Sequence, residues 1–385
     1  MIFFDMLKKA HSAMKHPGVG GQVGFMGLLR RAAPYFLSPG GYSGYPLTIY
    51  FSINSICNLK CKMCDVGNQN AEANFYKNLR LDGNRGQIAF EEFTALVDQV
   101  KHFKPMIGIT STEPLLYRDI VKCVDYVNQC GMEMLITTGG YLLPRYAEDF
   151  VRVGLKRLYV SIDGPPAIHN SIRGVKDTFE RATEGIRTIA RIKKETGAEF
   201  PKVFINYTIS NHNYFCLEDF MESIADLELE RVNFTLMNFV TQEMADEHNA
   251  TFGADYAATV NCLGGGTNPD EVDVDVLWSQ LEGVKAKYGE KVEILPHINR
   301  KEMTTYFSEP SKFLNSNRCM VSYFIAQIIA NGDVIPYTRC YNVSLGNVRE
   351  QSFDEIWNGP KMRKFRRDLR KHGRLPACTR CDQIA

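Results

Sequence analysis

Leu47-Thr-Ile-Tyr-Phe-Ser-Ile53, followed closely by Cys57-Asn-Leu-Lys-Cys61-Lys-Met-Cys64, decides how the rest of this chain is read. The first stretch is an apolar, β-prone run, the pattern of a strand buried on both faces. The second brings three thiols together at Cys-xxx-Cys-xx-Cys spacing. Thiolates are the soft ligands that iron–sulfur clusters need, and short loops can deliver three of them to three irons of one cube. With no fourth cysteine nearby, one iron is left open, as catalytic metal sites leave a position for substrate. A zinc site is the alternative. It asks for four closed ligands, and Asp65 is the only further donor close by.

Outward from that stretch the pattern is rhythmic. Helices are expected at Phe90–His102, Ile120–Gln129, Arg145–Val153, Thr178–Thr196 and Leu217–Leu227. They alternate with strands at Met106–Thr110, Glu133–Thr138, Arg157–Ile162, Lys202–Ile209 and Arg231–Leu236. Such alternation means an α/β fold with a parallel sheet and right-handed crossovers. Six units are counted, so the expectation is a partial (βα)6 TIM-like barrel, short of a closed one. Ligands of such sheets lie beyond the carboxyl ends of the strands, where the cysteine loop falls.

After Phe239 the rhythm stops. Residues 240–272 are polar and Gly-rich around Gly264-Gly265-Gly266 and read as a loop or insertion, followed by a helix at Asp275–Tyr288. From about Lys312 a distinct segment begins. It holds a hairpin around Asn331-Gly332-Asp333 and a basic helix, Pro360–Lys371, that leads to Cys378 and Cys381. The organisation expected is therefore 1–44, a helical extension; 45–240, the (βα)6 core; 241–311, a connecting, substrate-side segment; and 312–385, a small C-terminal iron–sulfur domain. Two short helices, Phe3–Met14 and Phe25–Phe36, are expected in the extension, packed on the main domain.

The bulk numbers narrow the function. A formal net charge of +1 over 385 residues lacks the basic footprint of a nucleic-acid binder. No apolar run is long enough to cross a membrane, and charges and Pro17-Gly18 interrupt the start, so it does not read as a secretory signal. Eleven cysteines without an export signal point to a reducing cytoplasm and to metal or catalytic chemistry rather than disulfides. Cys123, Cys130, Cys216 and Cys262 are isolated and read as small buried hydrophobes.

With the motif after the first strand of a (βα) array, the chain over Leu47–Leu236 resembles the radical S-adenosylmethionine (SAM) superfamily. The resemblance implies that Cys57, Cys61 and Cys64 hold a [4Fe-4S] cluster whose open iron binds SAM, and that cleavage of SAM yields a 5′-deoxyadenosyl radical. Further positions match. Ser111-Thr112-Glu113-Pro114 stands where the family has Gly-Gly-Glu-Pro, which implies that Glu113 grips the SAM ammonium. Both glycines are replaced, although Ser and Thr do not readily take φ > 0. Met63 falls where relatives place a bulky residue near the adenine. Tyr159-Val-Ser161-Ile-Asp163-Gly-Pro resembles the fourth-strand end, with Arg173 following. Ser161, Asp163, Arg173 and, on the fifth strand, Asn206 are thereby implied as SAM contacts; Asp163 reads equally as a turn or capping residue.

Cys319, Cys340, Cys378 and Cys381 form a second set able to close a site completely, as zinc or as a saturated cluster. Their surroundings, Asn331 to Pro336, Leu345-Gly-Asn-Val348 and Phe353-Asp-Glu-Ile-Trp357, resemble the SPASM/twitch extension of radical SAM enzymes. Four cysteines imply one auxiliary [4Fe-4S] cluster, two clusters in all. A saturated cluster serves electron transfer, which favours net oxidation of substrate. The leading expectation is a radical SAM oxidoreductase acting on a small polar metabolite, such as a sugar or aminocyclitol alcohol, fed by a flavodoxin- or ferredoxin-type reductant. A ribosomal-peptide maturase is the alternative, although 44 residues before the core are short for a leader-binding domain. A non-catalytic iron–sulfur sensor has no need of Glu113. No residue stands out as the catalytic base. Glu243, Asp246, Glu247, His248, Tyr207 and Asn238 follow or end strands, and the charged ones default to solvated loop positions.

Overall fold

The computed structural model describes residues 33–79, 86–314, 318–337 and 340–381. The helices expected at Phe3–Met14 and Phe25–Phe36 lie outside these residues, apart from the end of the second, where 33–37 are helical.

Strands β1 (Thr48–Ser52), β2 (Met106–Ile109), β3 (Met134–Thr138), β4 (Arg157–Ser161), β5 (Lys202–Ile209) and β6 (Arg231–Leu236) pair in parallel, each with the next. The crossovers carry α1 (Asn74–Asn78), α2 (Phe90–Val100), α3 (Ile120–Gln129), α4 (Leu143–Arg152), α5 (Pro166–Arg173), α6 (Thr178–Thr196) and α7 (Leu217–Ser223). The two faces of the sheet are packed differently. Ile49, Phe51, Ile107, Ile136, Leu158, Val160 and Ile205 face the helices in the main core. Their alternates Tyr50, Met106, Leu135 and Tyr159 form a second cluster, with Phe204 against it, on the concave face. Burial on both sides is why β1 to β4 read largely as apolar runs, whereas β5 and β6 alternate apolar and polar residues.

Three features depart from the expected pattern. Residues 241–256 are not a loop: Thr241 caps α8 (Gln242–Tyr256), its hydroxyl accepting from Met244 N at 3.3 Å. Only Met244, Ala245, His248 and Tyr256 of this helix are buried, so its sequence carries little apolar period. After α9 (Val274–Tyr288), a seventh parallel strand, β7 (Val292–Leu295), joins β6. It is short and only partly buried, which left no strand signature in the sequence.

Beyond α10 (Arg300–Ser308) and α11 (Val321–Phe324), the hairpin of β8 (Ile325–Ile329) and β9 (Asp333–Ile335) turns at Gly332 as the Asn-Gly-Asp sequence requires. The hairpin does not form its own sheet. β8 lies parallel to β1, and one open ten-stranded sheet runs β10-β9-β8-β1 to β7, with β10 at Gly346–Asn347. Helices α12 (Phe353–Trp357) and α13 (Pro360–His372) pack over this edge, where Arg366 is fully buried. Its guanidinium donates to Ser322 O, Gly41 O and Asn358 Oδ1 and lies over Trp357. Among the described residues no helix is long and apolar enough to cross a membrane.

Candidate active site

The cysteine loop leaves the carboxyl end of β1 and docks on the last turn of α5, with Lys60 N donating to Arg173 O and Lys62 N to Ile172 O, both at 2.9 Å. Two glycines make that approach possible. A Cβ on Gly67 would lie 2.4 Å from Cys61 N, and one on Gly174 (φ +67) would lie 2.6 Å from Lys60 O. Cys61 is buried, while Cys57 and Cys64 are partly so. Burial pushes the Cys57 thiol up to about 12, against a backbone N–H at Leu59, with Cys61, Glu113 and Cys64 adding like charge. Burial likewise raises Cys61 to about 11; the Arg173 charge opposes it, and Cys64 and Asp163 reinforce it. The three thiols, Glu113, Asp163 and Arg173 thus share one neighbourhood. Asp65 is engaged by Cys262 and Asn70. Fully buried, it accepts from Cys262 N at 3.1 Å and from Asn70 Nδ2 at 3.1 Å, tying the loop to residue 262.

Glu113 sits at the carboxyl end of β2, and its carboxylate is buried. Oε1 accepts from Leu115 N (2.9 Å) and Thr138 Oγ1 (2.7 Å), and Oε2 from Gly139 N (2.9 Å). A carboxylate has about four acceptor positions, so one is left, on Oε2. Burial raises the Glu113 pKa, and those donors together with Arg173 oppose it. The doubt over the missing glycines finds its answer here. Ser111 adopts φ +88, so it keeps the left-handed backbone that glycine would take. Its hydroxyl accepts from Gln327 Nε2 at 2.8 Å, and Gln327, buried on β8, also donates to Ser52 Oγ. Thr112 Oγ1 lies 2.8 Å from Asn54 Oδ1, and Asn54 Nδ2 donates to Glu113 O, locking the two loops together.

At the end of β4 the structure brings Asp163 and Arg173 together as a buried ion pair. Arg173 Nη1 also donates to Cys61 Sγ at 3.6 Å, and Asp163 Oδ1 accepts from Thr208 N at 2.9 Å. Burial lowers the guanidinium and raises the carboxyl; for Arg173 the charges of Asp163 and Cys61 more than offset it. His169 carried no signal in the sequence. It is buried, accepts from Asp163 N through Nδ1, and burial holds its pKa well below the ordinary value. Ser161 and Asn206 are partly exposed register partners on β4 and β5, and Met63 is partly exposed on the cysteine loop.

Cys319, Cys340, Cys378 and Cys381 gather round Tyr341. Burial raises the pKa of its phenol well above the ordinary value, with the charges of all four thiols adding. The Cys378 thiol is pushed up to about 12 by burial and by Cys319. Among the described residues no three His, Cys, Asp or Glu side chains group to hold a single ion. A cubane spreads its ligands wider, because each thiolate takes a different iron. The second set is bolted to the first. Asn74 Nδ2 donates to Ala257 O (2.7 Å) and Cys340 O (3.4 Å), and Asn78 Nδ2 to Tyr341 O (3.3 Å). Of the residues considered for the base, Glu243, Asp246 and Glu247 are exposed on α8. His248 is buried between Tyr256 O (2.6 Å) and Ala377 N (3.3 Å), a structural staple stacked on Tyr341. Tyr207 is core, donating to Asn213 O, and Asn238 Oδ1 lies 3.9 Å from Cys340 Sγ.

The radical SAM superfamily profile matches residues 51–224, and the SPASM iron–sulfur cluster-binding domain profile matches residues 319–382. The AdoMet-dependent heme synthase of Methanosarcina barkeri is 26% identical over 346 residues, covering 86% of this chain and 88% of its own length. The pre-heme d1 synthase of Dinoroseobacter shibae is 24% identical over 353 residues, covering 86% and 78%. Streptococcus suis SuiB bound to S-adenosylmethionine shares the fold at TM-score 0.57 and 15% identity, over 95% of this chain and 78% of that one. The two matched domains imply a [4Fe-4S] cluster with SAM and, in the second, auxiliary iron–sulfur. The residues present fit those groups: two separate sets of neighbouring, disulfide-free thiols, with one unused carboxylate acceptor position beside the first. This chain is a radical SAM superfamily enzyme with a C-terminal SPASM domain.

Proposed function

We propose that this enzyme is an oxidoreductase that abstracts hydrogen from its substrate and passes the remaining electron to an auxiliary cluster. Cys57, Cys61 and Cys64 would hold the SAM cluster, and Cys319, Cys340, Cys378 and Cys381 the auxiliary one. With these groups bound, SAM supplies a 5′-deoxyadenosyl radical and the second cluster an electron acceptor. The chain's own residues position and shield. The open position on Glu113 Oε2 suits an ammonium, Asn206 and Ser161 line the concave face, and Met63 on the cysteine loop would meet the adenine. Arg173, expected as a SAM contact, has a further part. Engaged by Asp163 and Cys61, it steadies the cysteine loop and places positive charge on a cluster sulfur.

The observation that carries the oxidative reading is the double tie of Asn74 and Asn78. It sets the auxiliary cysteine strand against the segment that follows the first cysteines. For substrate class, a small polar alcohol of the sugar or aminocyclitol type is the first reading. A porphyrin is the second, favoured by relatives that match over most of both chains and are named for heme and Fe-coproporphyrin III. A flavodoxin- or ferredoxin-type protein would supply electrons. A reducing cytoplasm suits eleven cysteines with no disulfide among them.

The test is anaerobic turnover by reconstituted protein with each substrate class, a peptide included as a third arm, following 5′-deoxyadenosine and product. Cys57→Ala abolishes SAM cleavage. Cys319→Ala keeps abortive cleavage and loses product. Full product from the Cys319 variant, with its auxiliary iron shown to be gone, would sink the electron-acceptor role.

A further inference from the structure

A row of polar side chains crosses the concave face in register: Ser161 on β4, Asn206 on β5, Asn233 on β6 and Glu293 on β7. Arg231 lies one pleat below on β6. Its Nε donates to Asn233 Oδ1 at 3.0 Å and its Nη1 to Glu293 Oε2 at 3.2 Å, while His297 Nε2 meets Glu293 Oε1 at 3.1 Å. Asn233, buried, donates through Nδ2 to Asn206 Oδ1 at 2.9 Å.

The direction of this chain of bonds is forced by chemistry. An asparagine amide can turn end for end at almost no steric cost, so its neighbours decide which end points where. Arginine has donors only. Asn233 must therefore show its oxygen to Arg231 and its NH2 to Asn206. Asn206 in turn must show its oxygen to Asn233, and its NH2 is left facing away. No protein group among the described residues takes that NH2, and Asn206 is partly exposed beside Ser161.

We propose that Arg231, acting through Asn233, is a positioning residue that fixes the Asn206 amide so that it offers a donor to bound SAM, with Glu293 anchoring Arg231. The ligand atom met there is an acceptor, a carboxylate, hydroxyl or ring nitrogen of SAM, while the ammonium is left to Glu113. This rests on the reading of Asn206 as a SAM contact, and the experiment separates the two.

SAM affinity is measured by equilibrium dialysis on anaerobically reconstituted holoenzyme, with melting temperature measured in parallel. Asn206→Ala tests the contact itself, and unchanged affinity there overturns the SAM-contact reading. Asn233→Asp keeps a carboxylate for Arg231 but turns only acceptors towards Asn206, whose amide must then flip. The expected result is SAM binding about ten- to a hundredfold weaker with an undiminished melting temperature. Arg231→Met, which frees both amides, weakens binding less; Arg231→Lys, still donor-only, restores it. If Asn206→Ala weakens binding and Asn233→Asp does not, the polarity argument is overturned. The same holds if Arg231→Lys binds as poorly as Arg231→Met.

Discussion

Arg173→Met removes the cation paired with Asp163, a carboxylate that has no exposed surface. In the parent, Asp163 has two partners, Thr208 N on Oδ1 and the Arg173 guanidinium on Oδ2. Methionine fills much of the arginine's volume but leaves an uncompensated buried charge, a change that costs roughly 3–5 kcal/mol. Adding Asp163→Asn removes that charge. The asparagine oxygen keeps the Thr208 bond, and its NH2 faces the methionine, so the double variant should lie only about 1–2 kcal/mol below the parent. The double is therefore more stable than the single arginine variant by about 2–3 kcal/mol.

Urea unfolding of the two variants and the parent reads these differences. The pH dependence adds a second signature. Burial already raises the Asp163 pKa, and the arginine charge that opposes it is gone in the variant. A carboxyl whose folded pKa lies above its unfolded value contributes stability at acid pH and loses it as pH rises through the folded value. The deficit of Arg173→Met is thus smaller at about pH 5.5 than at about pH 7.5, while the double variant shows no such dependence. A single variant within about 1 kcal/mol of the parent at both pH values, or a double variant less stable than the single, would refute the account of this pair.

Glu113→Gln keeps the acceptor for Leu115 and Thr138 but turns an NH2 towards Gly139 N–H. It should lose about 1–3 kcal/mol in urea and bind SAM at least about tenfold more weakly; unchanged SAM affinity would remove Glu113 as the ammonium partner. Ser111→Ala keeps the left-handed strain and loses the Gln327 bond, whereas Ser111→Gly also relieves the strain. Glycine is therefore the more stable of the two by about 1 kcal/mol, and the reverse order would refute a strained Ser111. Asn74→Ala leaves Ala257 O with the Asn342 N–H alone and loosens Cys340. The ratio of product to 5′-deoxyadenosine falls while SAM cleavage persists; an unchanged ratio would mean the tie is not used.

Much of the frame was legible along the chain, because its signals are local. The spacing Cys57-xxx-Cys61-xx-Cys64 lies within a single loop, and β1 to β6 are apolar or alternating runs set between helical periods. Glu113 and the four later cysteines were likewise readable from motif and neighbourhood. What failed had weak or misleading local signals. β7 is four residues long and partly exposed, and α8 buries only four of its side chains. The Ser111-Thr112 sequence argued against a backbone that the fold imposes all the same, through Gln327.

The tertiary structure decided what depends on residues far apart in sequence. Gln327 reaches Ser52 across a separation of 275 residues, and β8 joins the main sheet beside β1 where the sequence suggested a distinct hairpin. Asp163 reads from sequence as either a turn residue or a SAM contact, and only the fold shows that Arg173 pairs with it. The same holds for the amides of Asn206 and Asn233, whose direction follows from an arginine two residues along one strand and a glutamate on another. Sequence alone determined which chemistry the chain can carry, because ligand type and spacing are local properties. Which polar group meets which partner is settled only when distant segments are packed and every buried donor must find its acceptor.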